Sequence, residues 1–518
     1  METKPRALPS ALATALAFGA SGAVLVLEIV ALRLVGPYVG VTLQVSSSVI
    51  GVALAAIAYG AWIGGRLADK FDPRTLLAPA LILGAIGTAI TLPLVRWGGE
   101  LLRGGAAPAV LLLAALAIFL PALVLSTVAP MVVKLQLGDL REAGSVVGRL
   151  SSVGTLGAIT ATLVTGFVFV AAMPSSAIIL SLAVLLAVSG ALLAWWLRRD
   201  GTRPDLPGTP KIRASLAAVG LVGAGLGAAA PTPCDVETAY HCASIVEDPA
   251  RDGGRTLVLN SARHSYVDLT DPTYLEFEYV QWIAAAAGVL KPAVPAAVGS
   301  AAPGALDPAT APIDALHLGG GGFTVPNLLR AVRPGSRQLV LELDGGLVDL
   351  DERGLGLKTG PDLTVQVGDA RVGLAERPDA SYDLVVGDAF GHLVVPWHLA
   401  TREMAEDVAR VLRPGGVYAQ NVIDYPPNRF IRAEVATVAA AFPHVALIST
   451  PAALDGEKGS NFVILASREP LPVDAISPLL AALKEPASLL SGAALTDFVG
   501  DSHVLTDDYA PVDQLLAG

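Results

Sequence analysis

The chain has 518 residues, of which 53% are hydrophobic and only 16% charged, against about 25% charged in an ordinary soluble domain. That deficit excludes an ordinary soluble enzyme and a disordered chain, and without a Lys/Arg patch or stripe a nucleic-acid partner is excluded too. The charges divide unevenly: residues 1–213 carry 16 Lys and Arg against 9 Asp and Glu, whereas residues 214–518 carry 19 against 37, with all seven His and both Cys.

A bilayer core takes about 20 apolar residues in a helix. Six such segments follow one another, at about 11–35, 44–65, 75–97, 108–133, 150–172 and 175–197. Residues 1–197 therefore read as a six-helix membrane region in contact with the lipid bilayer, with Met173-Pro174-Ser175-Ser176 as the turn before the last helix. The gaps after helices two, four and six are the richest in Lys and Arg (Arg66, Lys70, Arg74; Lys134, Arg141, Arg149; Arg198, Arg199, Arg203, Lys211, Arg213). By the positive-inside rule these gaps, and the N-terminus with them, are expected in the cytoplasm. Gly65 to Arg74 also resembles the loop motif of major facilitator transporters, with Asp72 and Pro73 replacing the usual glycine and basic residue. Glu28 stands alone as an acid inside a span, where a carboxyl either serves an ion path or is structural.

Residues 198–230 read as a polar linker and a marginal seventh helix, Ala214–Ala230, whose 17 residues reach about 26 Å. If it crosses, all that follows lies outside the cytoplasm. Cys234 and Cys242, eight apart, are the only cysteines. A disulfide, which needs an oxidising compartment, a zinc site with His241, and two unrelated thiols all stay open. The pair and the loop charges together tilt the expectation toward an outer domain.

Residues 231–290 read as a small β subdomain with strands at Thr256–Asn260 and Ser265–Leu269, residues 291–312 as a mobile Pro/Ala loop, and residues 471–518 as a C-terminal extension. Between them, residues 313–470 alternate strand and helix patterns. A strand at Ala315–Leu318 leads into Gly319-Gly320-Gly321-Gly322. Another at Gln338–Leu343 ends on Glu342 and Asp344. Leu363–Val367 precedes Gly368-Asp369-Ala370, and Tyr382–Val386 precedes Gly387-Asp388. A helix is expected at about 398–412, then a turn at Arg413–Gly416 and a strand at Val417–Val422. Such βα units imply a mainly parallel sheet with ligands at the carboxyl ends of its strands. A glycine turn lets backbone approach a ligand, and an acid about 20 residues on can hold ribose hydroxyls. Glu342 lies 23 positions after Gly319, so the pattern points to a nucleoside.

From about Cys234 to Ser467 the sequence resembles spermidine synthase, the polyamine aminopropyltransferase. With the helices ahead of it, the whole chain resembles the bacterial membrane proteins that fuse facilitator-like helices to a spermidine-synthase-like domain. The resemblance implies a multi-pass α-helical membrane domain followed by an α/β Rossmann-like domain of methyltransferase/spermidine synthase type, with a small N-terminal β subdomain. It implies decarboxylated S-adenosylmethionine or S-adenosylmethionine as co-substrate, held by Gly319, Gly320, Gly321, Glu342 at the ribose, and Asp369 with Ala370 at the adenine. Asp388 matches the acid that deprotonates the attacking amine, and Tyr240 the family's N-terminal tyrosine; two family glutamines fall at His241 and His264. No metal is implied.

Two positions depart from the family: Gly322 and Gly391 stand where it has acids that help recognise a diamine. A free short diamine is therefore not the expected acceptor; a larger, less charged or membrane-delivered amine is. His392 and His398 lie in the same loop as Asp388, and a neutral imidazole could take a proton near pH 7; His392 is the one placed with Asp388 and Tyr240 in catalysis. The expected partners are a small amine or polyamine-like molecule and a second copy of the chain. Methyl transfer, non-catalytic binding linked to transport, and a scaffold in envelope assembly are the alternatives.

Overall fold

The computed structural model describes residues 7–40, 43–105, 107–202, 210–290, 311–391 and 394–516. The expected mobile loop at 291–312 lies almost wholly outside them. The chain divides into two compact units, Met1–Cys242 and Ala243–Gly518.

In the first unit the six apolar segments are helices long and apolar enough to cross a membrane. They are α1 (Ser10–Val39), α2 (Leu43–Lys70), α3 (Pro73–Leu101), α4 (Ala107–Gln136), α5 (Ala143–Ala172) and α6 (Ser175–Arg199). Each runs past its expected span at one end or both: α2 continues through Arg66–Lys70, and α5 starts at Ala143 rather than at 150. Asp72 caps α3 by accepting the Arg74 N–H at 3.0 Å, with Pro73 at the first helical position. The buried Arg74 guanidinium pairs with Asp200. α1 and α5 pack backbone to backbone: a Cβ at Gly157 would stand 2.2 Å from the Phe18 carbonyl oxygen. Glu28 is half-buried in α1.

A seventh helix, α7 (Pro210–Ala229), packs on α3. Its 20 residues span about 30 Å, the thickness of a bilayer core. Gly220 faces Ile86, Gly223 faces Ile90 and Gly227 faces Leu92. The two numberings rise together, so α7 runs parallel to α3. Where both end, buried Arg96 donates to the carbonyls of Gly227 (2.7 Å) and Ala230 (3.0 Å). The chain then forms the short strand β1 (Val236–Glu237) and a loop closed by a Cys234–Cys242 disulfide. Both thiols are thereby occupied, which removes zinc and unrelated thiols as readings of the pair. Arg33, near the end of α1, donates to the carbonyls of Thr238 and Ala239, and Glu237 accepts the N–H of Ser175 at the start of α6.

The second unit opens with antiparallel strands β2 (Cys242–Glu247), β3 (Gly254–Leu259) and β4 (Ala262–Asp268). An eight-stranded mixed sheet follows: β5 (Asp314–Leu318), β6 (Arg337–Glu342), β7 (Leu363–Val367), β8 (Tyr382–Gly387), β9 (Leu412–Asp424), β10 (His444–Ser449), β11 (Ser460–Ser467) and β12 (Ser488–Ser491). Its order is β12-β10-β11-β9-β8-β5-β6-β7, the five strands from β9 to β7 being mutually parallel and the other three joined antiparallel. Both faces are covered, so the strands are almost continuously apolar. Leu316 and Val385 pack into one core with Phe430 and Phe462, while Ala315 and Leu384 pack into the other with Trp282.

Two sequence expectations shift locally. The helix expected at 398–412 covers Arg402–Val411, because Thr401 accepts the Met404 N–H as its N-cap. The turn expected at Arg413–Gly416 is a bulge inside β9: Tyr382 pairs with Leu412 and Leu384 with Val417, and Gly415 takes φ +72°.

Candidate functional site

The parallel strands end together, and each expected acid or glycine leaves at its strand's carboxyl end. Gly319 follows β5 with φ +95°, and a Cβ there would lie 2.5 Å from the Asp388 carbonyl oxygen. Only glycine lets the two loops touch. Glu342 closes β6. Its Oε2 accepts the N–H of Gly320 (2.7 Å) and Gly321 (3.4 Å), and its Oε1 accepts the Asp344 N–H (2.9 Å). Asp344 caps the next helix, accepting the N–H groups of Gly346 and Leu347. The acid and the glycine turn are therefore one hydrogen-bonded unit.

Asp369 caps the helix Ala370–Ala375, accepting Arg371 N–H (2.9 Å) and Val372 N–H (3.0 Å) on Oδ1. Its Oδ2 meets His398 Nε2 at 3.0 Å. Burial works to raise its pKa, but the Val372 N–H and the imidazole outweigh it and hold the carboxyl below its ordinary range.

Asp388 follows β8 at the floor of a cleft of about 320 Å³ lined by Arg263, His264, Glu276, Glu278, Tyr279 and Asn421, among others. Asn421 Nδ2 donates to Asp388 Oδ1 at 2.8 Å and the Tyr279 hydroxyl donates to Oδ2 at 3.1 Å. Burial pushes the Asp388 carboxyl up to about 6, with the Asn421 and Tyr279 bonds opposing it. The Tyr279 phenol is pushed well above its ordinary value by burial and then by Asp388, so it stays protonated and donates. A carboxylate poised near 6 and open to a cleft can accept a proton from a bound amine.

The structure thus brings together Gly319, Gly320, Gly321 and Glu342, and sets Asp369, Ala370 and Asp388 on neighbouring strand ends. His264 joins them: it lines the cleft, its Nδ1 is 3.3 Å from Ser265 Oγ, and that hydroxyl accepts the Gly322 N–H at 3.0 Å. Ser265 also explains Gly322, since a Cβ there would meet the Ser265 Cβ at 2.8 Å and leave no room for an acid. Tyr240 and His241 belong to the disulfide loop of the first unit, where their N–H groups are held by Thr238 Oγ1. His392 lies outside the described residues.

Four kinds of residue in the cleft escaped the sequence reading: Tyr279, Asn421, Asn461 and the pair Glu276 and Glu278. The alternation Glu276-Phe277-Glu278-Tyr279 just before a helix was a legible signal for the first and last. Nothing local marks the two asparagines, which reach the site only through strand pairing. Glu276 and Glu278 bring two carboxylates to the cleft, so Gly322 and Gly391 do not by themselves leave a dication without anionic partners.

A scan against models of protein families matches none. Among curated proteins, a polyamine aminopropyltransferase of Vibrio vulnificus (strain CMCP6) is 27% identical over 214 residues, covering 39% of this chain and 69% of that protein. Among solved structures, a probable spermidine synthase from Corynebacterium glutamicum aligns with TM-score 0.46 and 27% identity over 52% of this chain and 95% of that one. A spermidine synthase in complex with the transition-state analogue AdoDATO aligns with TM-score 0.34 and 15% identity, covering 47% and 76% of the two chains. The C-terminal unit is similar in sequence to a polyamine aminopropyltransferase and has a Rossmann-like fold, and it is preceded in the same chain by six helices long and apolar enough to cross a membrane.

Proposed function

We propose that the C-terminal unit binds an adenosyl sulfonium nucleoside, decarboxylated S-adenosylmethionine or S-adenosylmethionine, and transfers its aminopropyl group to an amine. The observation that supports this most is Asp388, a carboxylate raised toward neutrality and held by two neutral donors at the floor of a cleft sized for a small amine. Glu342 and the turn Gly319–Gly321 would hold the ribose, and Asp369 with Ala370 the base. Tyr279 takes the place that resemblance assigned to Tyr240, because it is the tyrosine bonded to Asp388. Glu276 and Glu278 would hold a second cationic end of the acceptor.

The chemistry is a direct displacement. The acceptor ammonium gives a proton to Asp388, and its nitrogen pair forms the new C–N bond. The C–S bond breaks with its electrons passing to sulfur, which leaves as a neutral thioether. The sulfonium carbon is already activated, so the protein orients the amine and removes one proton. Turnover of decarboxylated S-adenosylmethionine with putrescine, cadaverine and lipid-linked amines by the full chain in detergent tests this; no product with any amine overturns it.

Glu342→Gln keeps the shape of the side chain and removes its charge. It should weaken nucleoside binding roughly tenfold to hundredfold, the worth of a charged hydrogen bond. Calorimetry with S-adenosylmethionine checks this; unchanged affinity would make the glycine turn a structural feature only.

The location proposed for this unit is the outer face of the membrane, with the N-terminus in the cytoplasm. The basic gaps put the start of α3 inside; α7 runs parallel to α3 and would cross in the same direction, and the Cys234–Cys242 disulfide suits an oxidising compartment. This placement favours the alternative of an amine- or nucleoside-binding protein without turnover, since adenosyl sulfonium donors are made in the cytosol. After reduction of intact cells, a membrane-impermeant thiol reagent should label Cys234 and Cys242. Labelling only after lysis would put the unit inside and remove the ground for the non-catalytic alternative.

A further inference from the structure

Two amides stand behind the Asp388 carboxylate on adjacent antiparallel strands. Asn421 lies on β9 opposite Val463, and Asn461 on β11 opposite Ile423. Asn461 Nδ2 donates to Asn421 Oδ1 at 3.0 Å, and Asn421 Nδ2 donates to Asp388 Oδ1 at 2.8 Å. Both amides line the same cleft. The backbone carbonyl of Asn461 accepts the Ser449 hydroxyl at 2.7 Å, which ties that strand position to β10.

The direction of this chain has a consequence. A carboxylate accepts hydrogen bonds, whereas a protonated carboxyl must also donate one. An unrestrained asparagine serves either form, because turning its amide by 180° exchanges donor for acceptor. With Oδ1 of Asn421 already taken by the Asn461 amide, Asn421 can offer Asp388 only its N–H. The Tyr279 hydroxyl donates to Oδ2 and also opposes the effect of burial, but a hydroxyl can turn to accept, so it does not by itself fix the form of the carboxyl. Among the described residues, the charged and titratable groups that line the cleft with Asp388 are Arg263, His264, Glu276, Glu278 and Tyr279, and the bond to Oδ1 comes from Asn421.

We propose that Asn461 is a positioning residue for Asp388: by pinning the Asn421 amide as a donor, it biases the Asp388 carboxyl toward the ionised form that can accept the amine proton. This rests on the reading of Asp388 as the base, and deepens it. It also explains how a carboxylate bonded, among the described residues, to two neutral donors stays usable near neutral pH. Burial drives it toward the neutral form, and the pinned amide holds against that drive.

The test reads Asp388 directly. Full-length protein labelled with carboxyl-13C aspartate is titrated in detergent by NMR, with Asp388→Asn identifying the resonance. Asn461→Ala frees the Asn421 amide to turn, and should raise the Asp388 midpoint by about one pH unit, the worth of one hydrogen bond. Asn461→Asp has the same shape, cannot donate when ionised and adds a charge, so it should raise the midpoint further. A residue that only supported the fold would lower the melting temperature and leave the midpoint in place. Midpoints equal to wild type in both variants would overturn the proposal. The outcome is separate from turnover: absent transfer with shifted midpoints sinks the transferase and keeps the network, and turnover with unshifted midpoints does the reverse.

Discussion

Asp388→Asn should abolish group transfer while leaving nucleoside affinity within about threefold of wild type. The substitution keeps shape and an acceptor for the Tyr279 hydroxyl, and removes the carboxylate proposed to take the amine proton. Losing a positioned general base costs roughly a hundredfold to ten-thousandfold in rate. The wild-type pH profile follows from the same carboxyl. Burial raises it to about 6, so it is protonated and inactive as a base below that pH, and the rate should climb as pH rises through about 6. The check is initial rates of the full chain between pH 5 and 8 with saturating amine, beside calorimetry of nucleoside binding. An Asp388→Asn variant that retains more than a tenth of the wild-type rate would move the base elsewhere, His392 and then His398 being the next titratable groups along that loop.

The second large effect concerns stability. Asp351 is fully buried on the helix Gly345–Gly354, and neither of its carboxyl oxygens has a hydrogen-bond partner. Burial pushes its pKa up to about 9, with Glu342 and Asp344 adding to the rise. Its pKa in the unfolded chain is about 3.9. The folded state therefore binds the extra proton between pH 4 and 9. The stability this group permits is present below pH 4 and declines as pH rises toward 9. At pH 7 the decline amounts to about 4 kcal/mol for an ideal two-state unit. Asp351→Asn removes the titration, and its amide replaces a carboxyl that is neutral at pH 4, so the two proteins should be about equally stable near pH 4 and the variant ahead by about 4 kcal/mol at pH 7. Because a two-unit chain does not melt in one step, the measurement is native-state hydrogen exchange of the Arg337–Glu342 strand, compared between variant and wild type at each pH. Equal protection at pH 7 would mean that Asp351 is not held neutral in the folded state.

What was legible in the sequence is what local pattern carries. Six apolar runs with charges confined to the gaps can satisfy backbone hydrogen bonds in lipid only as helices, so the helix count and order followed without a structure. Strand-end glycines and acids were legible for a similar reason: each of Gly319, Glu342, Asp369 and Asp388 sits directly after its own apolar strand, and a parallel sheet gathers such ends on one edge. The family resemblance rested on the same residues.

Only the tertiary structure decided the rest, because it depends on which strands and helices become neighbours. Asn421 and Asn461 are 40 positions apart and meet through the antiparallel register of β9 and β11. Tyr279 reaches Asp388 across 109 positions, whereas Tyr240, the tyrosine the resemblance pointed to, belongs to the disulfide loop of the first unit. The direction of α7 came from its glycines seating against Ile86, Ile90 and Leu92 in order, a packing fact that a run of Ala, Gly, Leu and Val does not encode. Hydropathy states that a segment can enter a bilayer; only its contacts state which way it runs.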